Sequence, residues 1–237
     1  MSMSRRIWLT GASSGLGSAL AEHLLLGGAQ LALSGNCSAS LMGMAERFPG
    51  QVLYAPGNLS DRVEARAIGE RIAQAWGTLD TLILNAGTCE YVDAGALDDK
   101  VFERVIATNL LASQHCFESA LPLLRQGHEP HVVAIASSIT WLPLPGSKDG
   151  VPPTGLNILL KRMKRELARD EIDMTVVCPV PDGSLSCAKG KVATPLLWPA
   201  EKAAIYLNDR LQSRPREIVF PALLLANLWP LPHKVQH

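Results

Sequence analysis

The feature that most constrains this chain is the sequence TGASSGLG at residues 10 to 17, called the glycine turn below. It directly follows the short apolar run Ile7 to Leu9 and opens an apolar stretch of helical period. Gly11 suits a tight bend, Gly15 lets the backbone approach an anion, and Gly17 lets a helix pack closely on the strand. The pattern predicts a phosphate-binding turn at a helix N-terminus, the alternative being an ordinary strand-to-helix loop.

The rest of the chain alternates short apolar runs with helical patterns. Runs that are apolar throughout indicate parallel strands that are covered on both faces of the sheet. We therefore expect an α/β fold, a Rossmann-type doubly wound parallel sheet of about seven strands, in a single domain over residues 1–237. The predicted strands lie near Ile7 to Thr10, Leu31 to Ser34, Val52 to Tyr54, Thr81 to Leu84, Val132 to Ser137, Thr175 to Cys178 and Ile218 to Phe220.

Composition excludes several classes of protein. Lysine and arginine together number 22, as do aspartate and glutamate, so no basic excess points to nucleic acid. The five cysteines include no CxxC pair, so neither a disulfide framework nor a zinc or other metal site is indicated. The N-terminus lacks the apolar core of a signal peptide. These features predict a cytoplasmic protein.

Three further motifs follow the glycine turn in a recognisable order. The predicted fourth strand ends in NAG at residues 85 to 87, the helical pattern from about Val101 to Leu124 contains Asn109, and the fifth strand leads into Ser138. With these motifs the chain resembles the short-chain dehydrogenase/reductase family over nearly its whole length. The resemblance implies a nicotinamide dinucleotide cofactor and an active site that contains Asn109 and Ser138.

Cofactor choice in such folds is set just after the second strand. An acidic side chain there favours NAD and a basic one favours NADP, but this chain has Ser34, Gly35 and Asn36. The hydroxyl and amide groups are neutral donors for a 2′-phosphate, so we expect NADP(H) in preference to NAD(H), unless this turn contacts nothing. The residues predicted to contact the cofactor are Gly11, Ser13, Ser14, Gly15, Leu16, Gly17, Ser34, Asn36, Asn58, Leu59, Asn85, Ala86, Gly87 and Pro179.

The catalytic segment departs from the family pattern. The family places Tyr-x-x-x-Lys about a dozen residues after the serine, whereas this chain has no tyrosine between Tyr91 and Tyr206. Alignment through Glu166 and Leu167 puts Asp149 at the tyrosine position and Pro153 at the lysine position. Replacement proton donors are Lys148, Asp149 and Lys161, each of which is alternatively a solvated charge.

Two hypotheses follow from this departure. One is a noncatalytic family member, a pseudoenzyme that acts as a partner or regulatory subunit. The other is a divergent NADP-dependent oxidoreductase, acting on a carbonyl or alcohol, with a nonstandard proton donor. The strand-end sequence after Pro179 also differs, because Val180 stands where the family has glycine.

Two apolar segments of the sequence are candidates for contacts with a partner or a membrane. The helical run Leu156 to Leu167 has an apolar side, and in the family this helix and the helix with Asn109 often pack against a second subunit. We expect a homo-oligomer through these two helices, or else an apolar side that is plain core. The apolar tail Pro221 to Pro232 is too short to span a membrane and predicts a closing helix at a core or dimer edge, with shallow membrane attachment as the alternative.

Overall fold

Seven strands form one sheet in the structure, a computed structural model that describes residues 4–13, 15–35, 38–85, 99–135, 155–180 and 199–221. The strands are β1 (Arg6–Leu9), β2 (Gln30–Leu33), β3 (Val52–Tyr54), β4 (Thr81–Leu84), β5 (His131–Ile135), β6 (Asp173–Val180) and β7 (Glu217–Pro221). Their order is β3, β2, β1, β4, β5, β6, β7, and every neighbouring pair is parallel. This topology confirms the predicted doubly wound α/β fold, and each predicted strand overlaps an observed one.

Six described helices cover the two faces of the sheet. They are α1 (Gly15–Leu26), α2 (Ser38–Arg47), α3 (Arg62–Trp76), α4 (Asp99–Leu124), α5 (Gly155–Arg169) and α6 (Ala200–Leu211). One buried cluster joins the sheet to α3, α4 and α5, and the other joins it to α1, α2 and α6. Representative side chains are Ile72, Phe117 and Met163 in the first cluster and Leu20, Leu41 and Leu207 in the second. The single domain predicted for residues 1–237 includes segments outside the described residues and stays a prediction.

The apolar side of α5 is core. Leu159, Leu160, Met163 and Leu167 are all buried in the cluster that covers β4, β5 and β6. These four side chains are therefore not available to a second subunit, and the predicted homo-oligomer through α4 and α5 stays a prediction. Among the described residues, no helix has the length and apolar character needed to cross a membrane.

Charged side chains connect the strands at the edge of the sheet opposite the glycine turn. Arg214, just before β7, forms ion pairs with Glu129 at 2.9 Å and with Asp173 at 3.0 Å. Arg5, just before β1, lies 3.6 Å from the same Glu129 carboxylate. Glu129 and Arg214 both have positive φ, at 46° and 47°, so these ion pairs hold two strained backbone positions.

A buried histidine lies beside this network. His131 is 4% exposed, and its Nε2 lies 2.9 Å from Oγ1 of Thr175. The Thr175 hydroxyl donates its only proton to the carbonyl oxygen of Pro215, so Nε2 of His131 is the donor to Thr175. Burial, followed by the nearby Arg214 guanidinium, lowers the pKa of His131 to about 4.

Candidate functional site

The candidate site lies at the carboxyl edge of the sheet, where β1 and β4 are neighbours. The chain leaves β1 towards β2 on one side, while β4 leads towards β5 on the other, so the direction of winding reverses between β1 and β4. A crevice outside the strand ends at such a reversal is where doubly wound sheets bind their ligands. The glycine turn follows β1 at this position, and Asn85 follows β4.

The glycine turn has the conformation that its glycines predict. Gly11 and Gly15 have φ of 62° and 54°, a region that other residues adopt rarely. An added Cβ at Gly17 would lie 2.0 Å from the carbonyl oxygen of Gly11, so only glycine permits this packing of α1 on the turn. Ser14, which is also a predicted cofactor contact, lies outside the described residues.

Asn85 fixes the glycine turn from the neighbouring strand. Its backbone N–H donates to Oγ1 of Thr10 at 2.9 Å, and its side-chain Nδ2 donates to the carbonyl oxygen of Gly11 at 3.2 Å. Asn85 is 1% exposed. Its Oδ1 accepts no hydrogen bond from the described residues, which leaves a buried acceptor directly beneath the turn. The sequence places Asn85 in a motif but does not reveal this support of Gly11.

The first turn of α1 is suited to an anion. Its residues, Gly15 to Ser18, include no acidic side chain. The first N–H groups of a helix have no partner within the helix, and the helix dipole adds a partial positive charge there. The Leu16 side chain is 2% exposed and packs in the core, so this residue can offer a ligand only its backbone. The turn and helix therefore fit a pyrophosphate.

At the end of β2 the structure contradicts the prediction that Ser34 contacts the cofactor. Ser34 is fully buried, and its Oγ accepts a hydrogen bond from the Trp8 indole at 3.0 Å. A buried hydroxyl offers nothing to a phosphate at the surface, so Ser34 is a core residue in this structure. Asn36 lies outside the described residues.

The hydroxyl that the structure brings to the end of β2 is that of Ser13. An added Cβ at Gly35 would lie 2.9 Å from Oγ of Ser13, so the two residues are in contact. Ser13 is half-buried, in contrast to Ser34. The sequence assigns Ser13 to the glycine turn only, because its approach to β2 depends on how the two strand ends are arranged in space.

Asn58 and Leu59, which follow β3, differ in their exposure to solvent. Asn58 is exposed, and its Oδ1 accepts hydrogen bonds from both the backbone and the hydroxyl of Ser60. The NH2 group of Asn58 is therefore the part of its side chain that suits a contact with adenine. Leu59 is 6% exposed and packs in the core.

The predicted catalytic residues are only partly described. Asn109 lies on α4 and is 7% exposed. Ser138, Ala86 and Gly87 lie outside the described residues, and Pro179 lies within β6, next to its last residue. Across the described ranges, no group of three or more histidine, cysteine, aspartate or glutamate side chains is arranged to hold a metal ion.

Comparisons with known proteins agree with this geometry. The short chain dehydrogenase family model matches residues 5–183. An uncharacterized oxidoreductase of Mycobacterium tuberculosis is 26% identical over 98% of this chain and 95% of its own length. A short-chain dehydrogenase structure from Streptomyces avermitilis, 19% identical, covers 96% of this chain and 93% of its own with a TM-score of 0.72.

A further solved structure carries a cofactor. It is a metagenomic short-chain oxidoreductase in complex with NADP, 21% identical, covering 93% of this chain and 99% of its own with a TM-score of 0.69. At this identity the likeness concerns the fold. The family model spans the glycine turn, Asn85 and Asn109. The chain therefore belongs to the short chain dehydrogenase family.

Proposed function

We propose that this chain binds NADP(H), in preference to NAD(H), at the glycine turn. The observation that carries the proposal is the packing of Gly11, Gly17 and Asn85, which leaves no room for a Cβ at Gly17 and holds the turn against the N-terminus of α1. A close-packed turn with unpaired N–H groups is the means by which this class of fold holds a pyrophosphate. The NADP complex of a protein of the same fold adds support.

The preference for NADP(H) rests on the chemistry at the end of β2. Ser13 contacts Gly35 there, and neither Ser34 nor Gly35 is acidic. An acidic side chain at this position would accept hydrogen bonds from the ribose hydroxyls of NAD and repel a 2′-phosphate. In its absence the Ser13 hydroxyl is a neutral donor that tolerates the phosphate.

We further propose that the chain is a noncatalytic partner or regulatory subunit. Family members use a tyrosine to exchange the proton that accompanies hydride transfer, and this chain has none between Tyr91 and Tyr206. Positioned general acid catalysis is typically worth about 10²–10⁴-fold in rate. Lys161, one candidate replacement, is exposed on α5, on the side opposite the buried Leu159 and Leu160.

Titration of the purified protein with NADPH and, separately, with NADH tests the binding proposal. Cofactor fluorescence and calorimetry should give a micromolar Kd for NADPH and a weaker one for NADH. Ser13→Asp and Ser13→Asn form a matched pair, because the two side chains have nearly the same size and differ in charge. The carboxylate should weaken NADPH binding about tenfold more than the amide does. Equal affinities for the pair, or no binding at millimolar cofactor, would refute the proposal.

The alternative function is a divergent NADP-dependent oxidoreductase, which the retained Asn109 favours. The two functions differ in turnover. If the protein oxidises NADPH in the presence of a small carbonyl compound, and Ser138→Ala abolishes that rate, the noncatalytic proposal fails. If NADPH binds without turnover across a broad panel of carbonyl compounds, the noncatalytic proposal is supported.

A further inference from the structure

The loop between β3 and α3 is held by hydrogen bonds at the start of the helix. The backbone N–H of Asp61 donates to the carbonyl oxygen of Asn58 at 3.0 Å and closes a four-residue turn. The Asp61 side chain then accepts from the backbone N–H groups of Val63 and Glu64 and begins α3. The Glu64 carboxylate reaches back to the backbone N–H of Asn58 at 2.8 Å. The position of Asn58 is therefore fixed by the first turn of α3.

The side-chain amide of Asn58 has a defined orientation. Its Oδ1 accepts from the backbone N–H of Ser60 at 3.2 Å and from the Ser60 hydroxyl at 2.8 Å. A backbone N–H can only donate, so the amide atom that faces it is the oxygen. The NH2 group, Nδ2, therefore points away from Ser60.

Nδ2 is the polar group of Asn58 that remains for a ligand. Within the described ranges, the backbone N–H, the carbonyl oxygen and Oδ1 of Asn58 each have a hydrogen-bond partner, whereas Nδ2 has none. Asn58 is exposed, so a ligand can reach its side chain. An amide NH2 group donates hydrogen bonds and does not accept them. A ligand that meets Asn58 therefore meets a donor.

The Asn58 loop lies on the same edge of the sheet as the glycine turn. The backbone N–H of Ala12 in the turn donates to the carbonyl oxygen of Ser34 at 3.0 Å. The backbone N–H of Ala55, just after β3, donates to the carbonyl oxygen of Leu33 at 3.1 Å. Neighbouring strands are about 5 Å apart, so the end of β3 lies about 10 Å from the end of β1. A dinucleotide bound across these strand ends, with its pyrophosphate on the glycine turn, extends its purine half over such a distance.

We propose that Asn58 makes this chain accept a 6-oxopurine dinucleotide at least as well as one that carries adenine. The inference rests on the proposed NADP(H) site and specifies which base that site selects. Adenine has an NH2 group at its 6-position, which is a donor and gains nothing from the Nδ2 donor. Only a ring nitrogen of adenine can accept from Asn58. A 6-oxopurine has a carbonyl oxygen at the same position, which accepts directly from Nδ2.

Two ligands with the same phosphates test this inference. They are NADPH and its analogue, reduced nicotinamide hypoxanthine dinucleotide phosphate, in which O6 replaces the 6-amino group. The ratio of their dissociation constants therefore reports on the edge of the base and not on phosphate binding. Calorimetry should give the analogue a Kd equal to that of NADPH or up to about fivefold lower.

The possible failures are distinguishable. Tighter binding of NADPH than of the analogue would overturn the inference and leave the NADP(H) site in place. No binding of either ligand at millimolar concentration would overturn both the inference and the site on which it rests.

An isosteric substitution assigns the selectivity to Asn58. In Asn58→Asp one carboxylate oxygen can still accept from Ser60, while the other, an acceptor, takes the place of Nδ2. The ratio of the two dissociation constants should then shift by at least about fivefold in favour of NADPH. Asn208→Asp, the same change at a half-buried position on α6, is the control and should leave the ratio unchanged. Circular dichroism and thermal melting establish that both variants are folded. An unchanged ratio in Asn58→Asp, or an equal shift in Asn208→Asp, would overturn the inference.

Glu64 is the competing acceptor beside Asn58. Its carboxylate accepts from the backbone N–H of Asn58, and a second hydrogen bond from the 6-amino group of adenine would select adenine instead. In that case the unaltered chain prefers NADPH and Glu64→Gln removes the preference, which overturns the role of Asn58. A ratio that does not favour NADPH in either the unaltered chain or Glu64→Gln supports that role.

Discussion

The side-chain Nδ2 of Asn85 donates a hydrogen bond across 3.2 Å to the carbonyl oxygen of Gly11 and joins the end of β4 to the glycine turn. The same amide group lies 2.6 Å from the position that a Cβ would occupy at Gly17. One buried side chain therefore contacts both ends of the turn, so the shape of the turn depends on a donor at position 85.

Replacement of Asn85 by aspartate should destabilise the protein strongly. Aspartate has nearly the same shape, but its carboxylate cannot donate to Gly11 and would be buried beside a carbonyl oxygen. We expect Asn85→Asp to lower the free energy of unfolding at pH 7 by about 3 kcal/mol, measured by urea denaturation. The loss should be smaller near pH 4, where a protonated carboxyl group can donate again.

Asn58→Asp is the matched control for this prediction. The Oδ1 of Asn58 acts only as an acceptor from Ser60, and an aspartate can accept in the same way. Its stability should therefore change by no more than about 0.5 kcal/mol. Similar losses for the two variants would show that the donor function of Asn85 is not what supports the turn.

His131 should make the protein less stable in mild acid. Its pKa is lowered to about 4 in the folded state, and in an unfolded chain the pKa of histidine is about 6.5. The stabilisation is complete above pH 6.5 and is lost as the pH falls towards 4, because the unfolded chain then binds the proton more readily. The loss at pH 5 should be about 2 kcal/mol relative to pH 7.5.

The contribution of His131 is isolated by comparison with His131→Gln. Glutamine can still donate to Thr175 but does not titrate, so the variant should show a shallower dependence of unfolding free energy on pH between 6.5 and 4. Identical pH profiles for the two proteins, measured by urea denaturation, would assign the acid sensitivity to other groups.

Glu171 should be replaceable by glycine with a gain in stability. Its φ is 54°, in the left-handed region, where a residue with a Cβ is strained by about 1–2 kcal/mol. Glycine relieves the strain but loses more entropy on folding, so we expect Glu171→Gly to raise the free energy of unfolding by about 0.5–1 kcal/mol. A rise in thermal midpoint is the measurement.

Glu129→Gly provides the contrasting case. The φ of Glu129 is similar, at 46°, but its carboxylate pairs with Arg214 at 2.9 Å and lies 3.6 Å from Arg5. Removal of this side chain gives up both ion pairs, so the net gain should be smaller than at Glu171. A larger gain at Glu129 than at Glu171 would contradict the view that the ion pairs offset the strain.

The fold was predictable because its signals are local. Apolar runs marked every strand of the sheet, and β3 at Val52–Tyr54 matches its predicted bounds. The glycine turn was predictable for the same reason. Gly11, Gly15 and Gly17 are required by backbone geometry within a few residues of each other.

The details of the site depended on contacts between distant parts of the chain. Ser34 follows β2, and only the pairing of β1 with β2 brings its hydroxyl to the Trp8 indole. The donation from Asn85 to Gly11 likewise requires that β4 lie beside β1. For α5 the sequence showed the apolar periodicity, but it did not show whether that side of the helix packs against the sheet or against a second subunit. In the structure Leu159, Leu160, Met163 and Leu167 pack against the sheet.

The Ser13 hydroxyl should favour NADPH over NADH without being required for the binding of either cofactor. Its hydroxyl contacts Gly35 at the end of β2, near the position that distinguishes a ribose 2′-hydroxyl from a 2′-phosphate. Removal of one neutral hydrogen bond is worth about 1 kcal/mol. We therefore expect Ser13→Ala to weaken NADPH binding about fivefold and NADH binding less than about twofold, measured by calorimetry.

Ser18→Ala is the appropriate comparison for Ser13→Ala. Ser18 lies in the first turn of α1, but it lines a surface groove with Ala200 of α6, and the three atoms nearest a Cβ built at Gly35 all belong to Ser13. The same substitution there should leave both dissociation constants unchanged. If Ser13→Ala weakens NADPH and NADH equally, the hydroxyl contacts a part that the two cofactors share, and the preference for NADP(H) must come from residues other than Ser13.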